Sequence, residues 1–193
     1  MATLGNPVVS FDQSSILRQG DDGVCCRLAY KWLASEVVPG QVKGSAFKFG
    51  NVNLQKTVDK QAAYLKDADP YEKQSPAAWQ QGVTAVSLKW LNIWGAKHGL
   101  KFETILSAIN CAEYFSKGFG KRSAIIGSFG QMGDGSNWAH ATAYFAGGPK
   151  FFDANKGEFD LNVNDPGAAL DNYHTYLSSN GETLDRFIFW ALP

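Results

Sequence analysis

The sequence has no excess of charge of either sign: Lys plus Arg and Asp plus Glu stand at 18 each, a formal net charge of zero. A balanced chain has no net field to steer it onto a polyanion. Nucleic acid and an anionic membrane are therefore not expected as its main partners, although a sum leaves room for a local basic patch. Long apolar runs are missing too. No window approaches the ~18 apolar residues that a membrane span needs. Met1 to Ser10 lacks the basic start and apolar stretch of a secretory signal. The start Met1-Ala2 is no myristoylation site and the end Trp190-Ala191-Leu192-Pro193 no prenylation box, so no stable membrane anchor is expected. Cysteine is scarce: Cys25, Cys26 and Cys111. An odd number at irregular spacing builds no disulfide framework, and adjacent cysteines bridge each other only with strain. Free thiols suit a reducing compartment. No Cys-x-x-Cys occurs, which argues against a zinc site, and no cofactor is implied. Repeats, low-complexity tracts and linker-like stretches are absent, so residues 1–193 read as one domain.

What the chain has is apolar and aromatic mass. Apolar residues make up 45%, including six Trp and thirteen Phe, enough for a substantial core. Helical signals dominate the first half. Cys25, Leu28, Ala29, Trp32 and Leu33 follow the spacing of one buried helix face. Asp21 and Asp22 suit its N-terminal end, and Pro39-Gly40 stops it. A second helix is expected from Leu54 to Leu65. A third starts at Ser75-Pro76, carries the stripe Val83, Val86, Trp90, Ile93, Trp94, and closes at His98-Gly99. The spacing also predicts a short helix over Ser107 to Lys117 and another from Asp165-Pro166 to about Leu177. His174 in that last helix reads as a solvated surface residue, and His98 as a partner for the helix C-terminal dipole.

Strand signals dominate the second half. A short strand is expected at Val8-Val9, and longer ones over Ser123 to Phe129 and Leu184 to Leu192. Between these two lies the stretch that organises the chain. Asn137 to Phe145 and Phe151 to Phe159 read as two strands joined by Ala146-Gly147-Gly148-Pro149-Lys150. His140 lies at the start of the first and Asp153 at the end of the second. Because a hairpin reverses direction, the two should be neighbours. Helices first and an antiparallel sheet afterwards, with one helix inserted, indicate an α+β fold.

A carboxylate beside an imidazole fixes its tautomer and supports its protonated form. Such a pair lacks only a nucleophile, and Cys25 is a candidate. A thiol in the first turn of a helix has a lowered pKa. Alone on an apolar stripe, Cys25 is as readily a buried structural thiol; the His140 and Asp153 pattern is what favours chemistry. Cys26 is the rival, but it points about 100° away around the helix. An oxyanion would need donors, for which the side-chain amide of Gln19 and the Cys25 N–H are the candidates.

Gly23-Val24-Cys25 with Leu28 and Trp32, then His140-Ala141, then Phe152-Asp153-Ala154-Asn155-Lys156-Gly157-Glu158-Phe159 resembles the YopT/AvrPphB-type cysteine peptidases, papain-like bacterial effector proteases. The resemblance spans Cys25 to Phe159. It implies a single papain-like catalytic domain, a nucleophile helix packed on an antiparallel sheet, and a triad of Cys25, His140 and Asp153 without a cofactor. It further implies secretion by a non-classical route into a host cytoplasm, where a host protein would be the substrate. Gln19 has the oxyanion spacing of papain-like enzymes generally; this family often has an asparagine nearby, where this chain carries Gly20, Asp21 and Asp22. The same triad would equally serve a peptidoglycan amidase, a deamidase or a transglutaminase, or stand idle in an interaction protein.

Overall fold

The structure is a computed structural model that describes residues 3–15, 17, 24–41, 54–178 and 182–193. The expected Asp21 and Asp22 cap, Gln19, the loop from 42 onward and the Asn180-Gly181 turn lie outside the described residues.

Five α-helices and seven strands are described: β1 (Val9–Ser10), α1 (Cys25–Val37), α2 (Leu54–Ala68), α3 (Pro76–Gly95), β2 (Glu103–Ala108), α4 (Ala112–Ser116), β3 (Ala124–Gln131), β4 (Asn137–Phe145), β5 (Lys150–Asp153), β6 (Gly157–Asp160), α5 (Pro166–Leu177) and β7 (Thr183–Ala191). The strands form one antiparallel sheet in the order β1-β6-β5-β4-β3-β7-β2. The fold is α+β, as its segregated signals predict. β7 comes last in the chain yet lies between β3 and β2.

Strand alternation divides the apolar residues between the two faces of this sheet. Ile125, Phe129, Ala143, Phe152, Ile188 and Trp190 face α1 and α3 in one core. Ile126, Tyr144, Phe151, Phe159, Phe187 and Phe189 face α4 and α5 in another. α1 buries the predicted stripe, with Leu28, Ala29, Trp32 and Leu33 fully inaccessible and the Trp32 ring stacked on Phe152 at 5.4 Å. Cys25, at the helix end, is only half-buried.

Several expectations need correction. The sequence pattern puts a helix at Ser107 to Lys117. Instead Ser107 and Ala108 finish β2, and the helix is the single turn Ala112–Ser116. β2 is an edge strand with a bulge between Thr104 and Leu106, so it lacks the clean alternation that marks a strand. The second half of the predicted hairpin is two strands, β5 and β6, with a tight turn between them. On α3 the buried positions include Trp79 and Leu91, whereas Ile93 is 50% exposed. His174 is no surface residue. It is buried, with edge-on contacts to Phe151, Tyr173 and Phe187, and its Nδ1 lies 2.8 Å from the Leu170 carbonyl. Polar Asp171, Asn172 and Thr175 beside it in the helix sequence hide an inward-facing position that only the sheet defines.

Candidate active site

β4 and β5 pair with Thr142 opposite Asp153. His140 is two residues from Thr142 along β4, so its side chain and that of Asp153 stand on the same face. His140 Nε2 lies 3.0 Å from Asp153 Oδ1. β5 stops at Asp153, so β4 continues past it toward Asn137 with β3 alone beside it among the described residues. At that open edge lies the thiol of Cys25. The charge and polarity of the His140 ring and the Ala141 N–H act on that thiol. Since Nε2 faces Asp153, Nδ1 is the ring nitrogen left for the sulfur.

The electrostatics of the three groups are mutual. Burial alone pushes the Cys25 thiol up; the hydrogen bond and charge of His140, with the Ala141 N–H, outweigh it and hold the thiol below its ordinary value. Burial would lower His140, but the charge and hydrogen bond of Asp153, and then the thiolate, hold it well above the usual histidine range. Asp153 is inaccessible to solvent, which would raise its carboxyl; the charge and hydrogen bond of His140, the Asn155 N–H at 2.6 Å and the Tyr173 hydroxyl at 2.9 Å keep it low. These shifts run in the directions that favour a thiolate–imidazolium pair with a carboxylate behind the ring.

Two glutamines fix the N-terminal end of α1. The Val24 N–H donates to Gln13 Oε1 at 2.9 Å, and Gln13 Nε2 donates to Asn155 Oδ1 at 2.6 Å. The Arg27 N–H donates to Gln61 Oε1 at 2.9 Å. These side chains occupy donors that a helix N-terminus leaves open. Gln13 therefore ties the first turn of α1 to the turn that follows Asp153. Most of the Asp153-to-Phe159 run has a part in this scaffold. Asn155 accepts Gln13. Gly157 has φ +120°, and a Cβ there would lie 1.9 Å from the Val9 carbonyl oxygen of β1. Glu158, far from a surface position, is buried and accepts the Trp32 indole N–H at 2.8 Å, with Lys150 Nζ at 3.4 Å. Phe159 fills the second core.

Cys26 is buried and its thiol is pushed well up by burial, then by the Cys25 charge. Cys111 is buried against α5, its thiol raised by burial and by Asp171. All three thiols are free. Among the described residues no group of three His, Cys, Asp or Glu side chains is placed to hold a metal ion. Gln19 lies outside the described residues. Gln13, Gln61 and Tyr173 carry no signal in the sequence, because each reaches the site only through the fold. A cleft of about 840 Å³ opens in front of Cys25 and His140, with Trp79, Phe129 and Trp190 among its walls and Asn137, Gly135 and Ser136 at its border. Trp138 turns elsewhere, donating to the Thr183 carbonyl at 3.1 Å.

Among solved structures, this architecture is similar to that of the Pseudomonas avirulence protein AvrPphB, with a TM-score of 0.58 over 96% of this chain and 96% of that one. The chain has the AvrPphB fold. Sequence identity to AvrPphB is only 16%, so the likeness is one of architecture. No protein-family model matches the chain, and a search of curated proteins gives no significant match. The papain-like α+β fold implied by the resemblance of the cysteine, histidine and aspartate motifs is thus the fold observed. Among the described residues no helix is long and apolar enough to cross a membrane.

Proposed function

We propose that the protein is a papain-like cysteine protease in which Cys25 is the nucleophile, His140 the general acid/base and Asp153 the group that orients His140. The reading rests chiefly on one observation: a half-buried thiol with a lowered pKa meets a histidine whose other nitrogen is held by a buried carboxylate, at the wall of a cleft. Residues 1–193 would form the single catalytic domain.

The chemistry follows from the geometry. The Cys25 sulfur attacks the carbonyl carbon of a peptide bond, and the carbonyl oxygen takes the negative charge. The Cys25 N–H at the α1 terminus is one donor for that oxygen, and Gln19 the proposed second. The His140 Nδ1 proton passes to the leaving amine, which departs and leaves a thioester. Water then attacks the thioester carbon, gives a proton back to His140, and releases the acid and the Cys25 thiolate. Asp153 stays ionised throughout and carries no proton.

The AvrPphB fold supports a further reading, that the protein is a bacterial effector delivered by a non-classical route to cleave a protein of the host. An epoxide inhibitor of papain-like enzymes should label the protein at Cys25 and fail to label Cys25→Ala. New protein N-termini should appear in host cells expressing the parent and not in cells expressing Cys25→Ala. Equal labelling of both forms would overturn the triad. Labelling without new N-termini, together with release of amines from purified muropeptides, would replace the protease by an amidase.

A further inference from the structure

A second cluster of charged groups lies on the helical side of the molecule and takes no part in the chemistry above. Arg27, two residues beyond Cys25 on α1, is only 6% exposed. Its guanidinium lies 4.9 Å from the centre of the Tyr30 ring and 4.8 Å from that of Trp94. Its Nε and Nη1 are buried and have no hydrogen-bond partner. Buried guanidinium nitrogens are ordinarily satisfied, because desolvating a cation without an acceptor is costly.

Other cations come from the same helices and act electrostatically with Arg27. Lys31 follows one turn later on α1, with its Nζ 3.1 Å from Thr57 Oγ1 of α2. Lys56 and Lys60 come from α2, and Lys97 with His98 from the turn that ends α3. Their charges act on one another. Burial and then Arg27, Lys97 and Lys56 bring Lys31 down to about 8. Lys60 is lowered by burial, Arg27, Lys56 and Lys97, and His98 by burial, Lys97 and Arg27. The carboxylates on the same helices are engaged: Glu36 of α1 with Lys150 at 3.4 Å, Asp59 of α2 with Gln55 Nε2 at 2.8 Å, and Asp67 of α2 with Lys89 at 2.7 Å. In a chain of zero net charge, this concentration is a property of the fold and not of composition.

We propose that the junction of α1, α2 and the end of α3 is a binding site for a small phosphate-rich anion, with the orphaned Arg27 guanidinium as its anchor and Lys31, Lys60 and Lys97 around it. A phosphate ester supplies the acceptors that Nε and Nη1 lack. A guanidinium holds phosphate oxygens by charge-assisted hydrogen bonds, and lysines supply point charges around them. The anion would also restore full protonation of Lys31. Such phosphate could come free in solution or on a phosphoinositide headgroup. The inference is independent of the protease reading.

The test uses the full chain at physiological salt. Calorimetric titration with inositol hexakisphosphate should show one saturable site, accompanied by a change in tryptophan fluorescence, since Trp94 stacks on Arg27. Lys60→Gln with Lys97→Gln should weaken that site by about tenfold or more, while the melting temperature and the labelling of Cys25 stay at the parent values. Flotation with phosphatidylcholine vesicles, with and without phosphatidylinositol bisphosphate, separates the sources: recovery only with the phosphoinositide assigns the site to a headgroup, and saturable titration without flotation assigns it to a soluble ester. Absence of saturable binding in both arms overturns the proposal, and so does undiminished affinity in the double variant.

Discussion

A thiolate and an imidazolium coexist only between the pKa of the thiol and that of the ring. Lowering Cys25 and raising His140 opens that window from both sides. The rate of Cys25 alkylation by iodoacetamide should therefore rise through a midpoint below the ~8.5 of a free cysteine. Asp153→Asn removes the charge that holds His140 up. The ring then loses its proton at lower pH, and the thiol loses the cation that holds it down. Its midpoint should move upward by about one unit; an unmoved midpoint in the variant would show that the carboxylate does not act through the ring. At this scale the sequence is informative in an uneven way. The neighbourhood of His140 and Asp153 is readable because a hairpin reverses the chain, and the position of Cys25 is readable because a helical stripe begins there. Tyr173, Gln13 and Gln61 are silent, since a hydroxyl or amide says nothing about which distant atom it meets. His174 misleads outright, because polar neighbours in sequence say nothing about the face toward the sheet.

Elements are legible where periodicity and punctuation agree. α3 has proline in its first turn, the left-handed Gly99 just past its end and an apolar stripe between, and it is found as predicted apart from the position of Ile93. β2 is illegible because an edge strand with a bulge does not alternate. The β5–β6 turn is intermediate: its letters look like a turn, but the reason for them is the close approach of β1. That reason makes Gly157 the most exacting position of the motif. Gly157→Ala would force a φ of +120° on an alanine and drive its Cβ into the Val9 carbonyl. It should cost about 3 kcal/mol in a denaturant titration. Gly5→Ala, where nothing lies within 4 Å, should leave the midpoint unchanged.

For the whole molecule, the buried titratable groups set the pH range of stability. His174 has its pKa brought down to about 4, mainly by burial, so between that value and the ~6.5 of an unfolded histidine only the unfolded chain takes the proton. Stability is then lost as pH falls through this window, by up to about 1.4 kcal/mol per pH unit. Asp153, held low, adds a further loss below ~4, the unfolded carboxylate value. His140 works in the other direction: its contribution is complete below ~6.5 and disappears as pH rises through its raised value. Denaturant midpoints measured between pH 4 and 6.5 should slope steeply for the parent. The slope should flatten in His174→Leu; an equal slope would mean that the imidazole is already protonated in the folded state.

The last strand has a consequence for how the chain comes together. β7 sits inside the sheet, hydrogen-bonded to β3 on one side and β2 on the other. Until residue 191 has left the ribosome, β2 has no place in the sheet and β3 has an open flank. The sheet stays unfinished until Thr183 to Ala191 have emerged, and a stop codon ahead of residue 183 would yield two unjoined edges in place of a shortened version of the molecule.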